Sequence, residues 1–327
     1  MEKVSNLSNS AARGKIKLNI DHAIDFAPRP RSARSYGITI KYYDDGNQEA
    51  TKRLDYQIHL KVNQFRDENK VWQLCFDKTE LFIDRHEPDF VGEQLASMAM
   101  SAIYPLKVDV NSKNEIFRGI VNHNEILDRW KQVAEKISDK YEGRYAELYL
   151  EKMEKKISDR FGLEYALRAD MFWNVFFHPH YLKYDGNLSR QSTLFFPVIV
   201  YKNMAFEGVQ SVEPNYTDYG TFKVNFFSES ELTEDQKIQM GQKGSLKMKL
   251  NAAFDLDQDG SLLKHARVDW NLYNKENGKE ISIKRIAFSA YEIESSIPTT
   301  DQHLLIQEGN NGFPVEKKRG FWARILG

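Results

Sequence analysis

The sequence predicts an α+β fold in which curved antiparallel β-sheets pack on a central helical segment, at about residues 122–178. Apolar and polar side chains alternate before and after that segment, as in half-buried strands. Within it, apolar residues recur at helical spacing and aromatic residues are frequent. Near the C-terminus, three alternating stretches joined by short turns indicate a three-stranded meander.

Composition bounds the class of protein. The 327 residues suffice for one large domain or two ordinary ones, and 41% hydrophobic with 28% charged residues is typical of a folded globular chain. Lys plus Arg (46) nearly equals Asp plus Glu (47), so no net field favours nucleic acid as a partner. With Cys75 as its one cysteine, the chain has no disulfide framework.

The expected location is the cytoplasm. The N-terminus has no apolar signal region, and no run of about 18 apolar residues would span a bilayer. A chain already trimmed of a signal peptide would look the same. Residues 1–34 are predicted to be a flexible basic, proline-containing arm, and residues 35–296 one large domain or two interlocked halves, 35–180 and 194–296. Residues 297–327 are predicted to be a linker and a basic amphipathic tag.

The first predicted elements are antiparallel strands. One apolar face is formed by Ile38 and Ile40, then Leu54, Tyr56, Ile58, Leu60 and Val62, then Trp72, Leu74 and Phe76, and a further short strand is predicted over Thr79–Ile83. A helix follows between Pro88 and Pro105, and a hairpin begins at Leu106.

The central helices are predicted from a capping motif and from apolar residues at helical spacing. Asn122 and Glu125 have the spacing of a capping box, which predicts a long helix from Asn122 that Gly143 kinks or breaks. A second helix, from Arg160 to Phe177, carries apolar residues around its whole circumference and is expected to be buried on most sides. Strands then return, with the meander from Leu246 to Phe288 as the clearest pattern.

Two motifs suggest metals. Asp255, Asp257, Asp259 and Gly260 resemble the opening of an EF-hand loop, but Ala266 replaces the bidentate glutamate and strands flank the loop, which favours an ordinary turn. His178 and His180, with Asp185, have the donor types of a two-histidine, one-carboxylate site. Because Pro179 also marks a helix end, a structural role for the two histidines is favoured and no metal or other cofactor is expected.

No esterase, P-loop or dinucleotide-binding motif occurs, so an enzyme is disfavoured. The C-terminal tag mixes basic and apolar residues that suit a protein groove or an anionic membrane surface: Lys317, Lys318, Arg319, Phe321, Trp322, Arg324, Ile325 and Leu326.

The sequence therefore predicts a non-enzymatic, cytoplasmic binding or assembly scaffold whose tag contacts an unidentified protein partner or complex, or a membrane surface. Two alternatives remain. One is a metal-dependent hydrolase centred on His178 and His180. The other is a carrier of an apolar ligand in a cavity between sheet and helices, with Met98, Tyr165 and Trp173 as walls.

Overall fold

A computed structural model describes residues 26, 28–66, 71–111, 117–180, 183–199, 202–258 and 262–293. Within these residues, eleven strands form one antiparallel sheet that does not close, accompanied by six helices. The mixed α+β class is thus confirmed, and the strands expected in separate sheets belong to one.

The strands are β1 Ala33–Asp44, β2 Lys52–Arg66, β3 Val71–Ile83, β4 Leu106–Asn111, β5 Phe117–Ile120, β6 Ser189–Ile199, β7 Lys202–Val212, β8 Thr221–Glu231, β9 Lys247–Asp257, β10 Leu263–Glu276 and β11 Lys279–Ile293. The helices are α1 Val91–Ile103, α2 His123–Lys140, α3 Arg144–Ser158, α4 Arg160–Arg168, α5 Met171–Phe176 and α6 Glu234–Met240.

Strand order is β5-β4-β3-β2-β1-β11-β10-β9-β8-β7-β6. Every pair except β1–β11 joins strands that are consecutive along the chain. The β1–β11 pair runs from Ser35 opposite Ile293 to Asp44 opposite Lys284, and it joins the N-terminal and C-terminal groups of strands into one sheet.

One face of the sheet, here called the inner face, is apolar across all eleven strands. Because side chains alternate between faces, one register places Ile38, Tyr56, Phe76 and Val108 inside with Phe254, Val268 and Phe288, and all are buried. The opposite, outer face carries polar side chains and ion pairs such as Arg285 with Asp269 and Arg53 with Asp55.

The sheet curls around its inner face. β3 and β9 are five strand positions apart, which is about 24 Å in a flat sheet at roughly 4.8 Å per strand. Yet the Phe76 ring of β3 lies 5.4 Å from Phe176, and the Phe254 ring of β9 lies 5.3 Å from His178, only two residues further along. A segment this short reaches both rings because the two strands approach each other.

Two predicted helices differ from the observed ones. The predicted helix from Arg160 to Phe177 is wrong: the chain breaks between α4 and α5, and the side chain of Asp170 accepts hydrogen bonds from the amides of Phe172 and Trp173 as a new N-cap. The expected burial on most sides holds for α5 only, since Phe161 and Tyr165 on α4 are 77% and 68% exposed.

The predicted capping box at Asn122 is also wrong. The Asn122 side chain makes no cap bond and instead accepts from the amide of Lys107 and donates to the Pro105 carbonyl, which ties α2 to the start of β4. The break at Gly143 is confirmed, because α2 ends at Lys140 and Gly143 is the N-cap of α3 with a positive φ of 98°.

Candidate functional site

His178 and His180 lie at the C-terminal end of α5, buried against the inner face. The His178 ring stacks on Phe254, with ring planes 19° apart, and the His180 ring centroid lies 4.2 Å from that of Phe254. The two imidazoles are 4.9 Å apart.

A network of polar contacts fixes the tautomer of His178. Nε2 of Gln210, on β7, donates to the Tyr184 hydroxyl at 2.6 Å and to the Pro179 carbonyl at 3.2 Å. Its Oε1 is therefore an acceptor, and Nε2–H of His178 donates to it at 2.6 Å. The Tyr184 hydroxyl in turn donates to the His180 carbonyl at 3.1 Å.

Burial keeps both imidazoles neutral. It lowers the pKa of His178 to about 4, against which the hydrogen bond to Gln210 acts. It lowers the pKa of His180 well below its usual range, and the neighbouring His178 acts in the same direction. The pair is thus built as a neutral, hydrogen-bonded part of the core.

The side chain of Asp185 stabilises a turn. Its Oδ1 accepts from the amides of Asn187 and Ser189 at 2.9 and 3.1 Å, ahead of β6. Across the described residues, no group of three or more His, Cys, Asp or Glu side chains is arranged to hold a metal ion. No contact made by Asp185 links it to the two histidines, so the hydrolase remains a prediction without structural support.

The two described aspartates of the EF-hand-like loop contact different side chains. Asp257 is buried and forms an ion pair with Arg34 of β1, while Asp255 faces Nδ1 of His265 at 3.3 Å. Asp259 and Gly260 lie outside the described residues. Both described aspartates therefore have protein partners.

The most extensive aromatic cluster surrounds α5. Phe172, Trp173, Phe176 and Phe177 pack on one another and on Phe76, and Tyr36 of β1 contacts Phe172 and Phe176 at ring distances of 6.4 and 6.0 Å. α5 therefore fills the curl of the sheet with aromatic rings.

The three predicted cavity walls have different environments. Trp173 is buried in the α5 cluster, and Met98 is half-buried on α1 against the core. Tyr165 is exposed on α4, so its prediction as an interior wall is wrong.

A depression of about 390 Å³ lies on the outer face, across β7 to β10. Its lining mixes apolar side chains such as Val209 and Phe227 with the polar Asn251, Arg267 and Asp269. Eight of its ten lining residues alternate onto the outer face, whereas Phe226 and Ala252 belong to the inner face, where the Phe226 ring lies 6.0 Å from that of His178.

Several residues of these sites escaped sequence reasoning. Gln210 and Tyr184 carry no motif, and only the fold brings them to His178. Asp170 did have a signal, since an aspartate directly before an apolar turn is a typical N-cap. The predicted contacts of the C-terminal tag, from Lys317 to Leu326, lie outside the described residues.

Comparison with known proteins gives little further information. No protein-family model matches the chain, and no curated protein matches it. A solved structure described as "Lipid-protein interactions in lipovitellin" aligns with a TM-score of 0.44 and 10% identity, over 84% of this chain and 26% of that one. The chain thus spans about a quarter of that protein, and a likeness at this level carries no functional argument. Among the described helices, none is long and apolar enough to cross a membrane.

Proposed function

We propose that the protein is a carrier of apolar or amphiphilic small molecules, with the inner face as the binding surface and α5 as its displaceable cover. The observation that carries this proposal is the packing of the aromatic α5 on Phe76 of β3 and of His178, two residues after α5, on Phe254 of β9. Packing of this kind is non-directional, so an apolar ligand can replace it without leaving hydrogen bonds unmade.

The length of α5 favours displacement. It spans six residues, whereas isolated helices shorter than about 12–15 residues are marginal in water. Its order therefore depends on its cap at Asp170 and on burial of its rings, at about 1.5–3 kcal/mol for each large side chain. A ligand that buries a similar apolar area compensates for the loss of these contacts.

The open sheet also favours this function. β5 and β6 are the two edges of the sheet and do not pair with each other, so no line of backbone hydrogen bonds seals the curl. Among the described residues, α5 and the segment after it, with His178 and His180, pack on the inner face, and they can move without breaking the sheet.

Binding of an uncharged probe tests the proposal. Native protein is extracted with solvent and the extract is analysed by mass spectrometry, and delipidated protein is titrated with N-phenyl-1-naphthylamine. We expect extractable apolar molecules and saturable probe fluorescence. A clean extract together with no saturable binding would sink the carrier function.

A matched pair of cap variants locates the binding. Asp170→Ala removes the cap of α5, and Asp159→Ala removes the equivalent cap of α4, where Asp159 accepts from the amide of Phe161 at 3.0 Å. Loss of an N-cap costs about 1 kcal/mol. Probe affinity should therefore rise by about fivefold in Asp170→Ala and stay unchanged in Asp159→Ala. Equal effects would place the probe away from α5.

A contact function is the second candidate. Phe161 and Tyr165, one turn apart on α4, are exposed aromatic side chains of a kind that protein contacts use. The scaffold that the sequence predicts makes its contact through the C-terminal tag, and these two side chains offer a second contact. Deleting residues 317–327 should leave thermal stability intact and abolish co-purification of a partner or membrane fraction, and retention of that material would argue against the tag.

A further inference from the structure

Lys78 extends from β3 onto the apolar inner face. It lies directly opposite the buried Ile58 of β2 and follows the buried Phe76 by two residues, so all three side chains share that face. Lys78 as a whole is half-buried, its stem runs among apolar side chains, and its ammonium is withdrawn from water.

The ammonium of Lys78 lacks a carboxylate partner among the described residues. The Lys78 Nζ lies 3.8 Å from the ring centroid of Tyr56. This is a cation–π contact, and it provides no oxygen or nitrogen acceptor for the three N–H groups of the ammonium. Two other basic side chains in the same alternation do have partners, since Arg34 pairs with Asp257 and Lys52 with Glu93. Lys78 differs from these two in having no such ion pair among the described residues.

A second unmet polar group lies beside it. Tyr56 is 5% exposed, and its buried hydroxyl has no hydrogen-bond partner within the described part of the chain. A buried hydroxyl without a partner is costly and uncommon in folded proteins. Lys78 and Tyr56 thus present donors at one place, and no described residue supplies an acceptor.

The charges around Lys78 are few. Asp170 is the carboxylate whose field reaches Lys78, Tyr56 and the buried Tyr104. Its Oδ1 is engaged by the α5 amides, and it forms no ion pair with Lys78. Burial lowers the pKa of Lys78, and the field of Asp170 opposes that shift. An incoming anion would meet a cation whose hydrogen bonds are unused.

We propose that Lys78 and Tyr56 form the head-group site of an amphiphilic ligand that carries a single anionic head, such as the carboxylate of a fatty acid. This inference rests on the proposed carrier function, because the inner face beside α5 takes the apolar tail. The position of the Lys78 Nζ over the Tyr56 ring fixes where the head binds.

A pair of probes that differ only in charge tests the site. 11-(Dansylamino)undecanoic acid and its methyl ester are titrated into delipidated protein and into the variants Lys78→Met, Tyr56→Phe and Lys61→Met. Lys61 is the matched control, because it is an exposed lysine on the same strand as Tyr56. It pairs with Cys75, one position along from the inward Leu60–Phe76 pair, so its side chain belongs to the outer face.

Wild type should prefer the acid by roughly tenfold to a hundredfold, the worth of a hydrogen-bonded charge. Lys78→Met should abolish the preference and leave ester affinity unchanged, Tyr56→Phe should reduce it, and Lys61→Met should keep it. Sodium acetate, a head without a tail, should not compete.

The outcomes separate the two proposals. Equal binding of acid and ester by wild type, or a preference that survives in Lys78→Met, would overturn the head-group site and leave the carrier intact. If neither probe binds, the carrier itself fails and the head-group site fails with it. Thermal unfolding of Lys78→Met checks the fold, and its stability should match or exceed that of wild type because an unpaired, half-buried charge is removed.

Discussion

At the scale of single residues, the two histidines are best understood as neutral core side chains. The Nε2–H of His178 donates to the amide oxygen of Gln210, whereas the histidine of a general base is commonly oriented by a carboxylate. The consequence is a dependence of stability on pH, because the folded protein resists protonation at a site that the unfolded chain protonates readily.

The protein should lose stability as the pH falls, because the pKa of His178 is lowered in the folded state. The pKa of His178 is about 4 in the folded state, against about 6.5 for histidine in the unfolded chain. The stabilising contribution is therefore full above the unfolded pKa and is lost as the pH falls from about 6.5 toward 4. For His178 alone, the free energy of unfolding should drop by about 2 kcal/mol between pH 7 and pH 5.

Urea denaturation at those two pH values measures the drop. His178→Phe, which keeps an aromatic ring against Phe254, should lower stability at pH 7 because Gln210 loses a partner, and it should shrink the pH dependence. His86→Gln, at an exposed position, is the control and should change neither. An unchanged pH dependence in His178→Phe would contradict the assignment.

Aromatic packing around α5 makes a second prediction for single residues. Phe176 is buried against Tyr36, Phe76 and Phe172, so Phe176→Ala should cost about 3–5 kcal/mol. Phe161→Ala makes the same chemical change at a side chain that is exposed on α4, and it should cost less than about 0.5 kcal/mol. Urea denaturation of the pair gives both values, and similar losses would mean that α4 is buried by a contact the described residues do not make.

At the scale of elements, the break between α4 and α5 is held by two side chains. Asp170 starts α5 by accepting from two amides, and Asn174 closes the turn by donating to the carbonyls of Arg168 and Asp170. The polar contacts at the break direct the aromatic residues of α5 inward and leave those of α4 outside.

Two substitutions at Asp170 separate the effect of its N-cap from the effect of its negative charge. Asp170→Ala should destabilise the protein by about 1 kcal/mol, and Asp170→Asn by less, because asparagine is as good an N-cap as aspartate. Guanidinium denaturation of both variants measures the difference. Equal losses would mean that the negative charge near Lys78, and not the cap, is what matters.

The elements also show what the sequence can and cannot predict. Alternation places the strands from Tyr36 to Phe76 because one face of each is buried, and Pro105 together with helical spacing locates α1. Periodicity alone predicts one helix where the structure has α4 and α5. Phe161 and Phe176 are equally apolar, and a pattern does not distinguish an exposed aromatic residue from a buried one. For Lys78, alternation from Trp72, Leu74 and Phe76 already implies an inward lysine, so that signal was present in the sequence.

At the scale of the whole molecule, the least predictable feature is the pairing of β1 with β11. Each strand is recognisable locally, but which strands become neighbours depends on contacts between the two ends of the described chain. The single sheet follows from that pairing and is therefore invisible to local patterns.

One sheet and one connected core imply joint unfolding. Buried residues from both groups of strands belong to a single apolar cluster, so residues 35–180 and 194–296 should lose structure together. Tryptophan fluorescence and far-UV circular dichroism, followed through the same urea titration, should give coincident transitions. Two separated midpoints would instead favour the two interlocked halves that the sequence allowed.

The central position of β1 has a consequence for synthesis on the ribosome. β1 emerges early and pairs with β2 on one side, but its other edge has no partner until β11 has been translated. At about 5–20 residues per second, that edge stays open for on the order of tens of seconds. A nascent chain with an unpaired apolar strand is prone to aggregate, so the yield of folded protein should depend on chaperones that shield β1 during elongation.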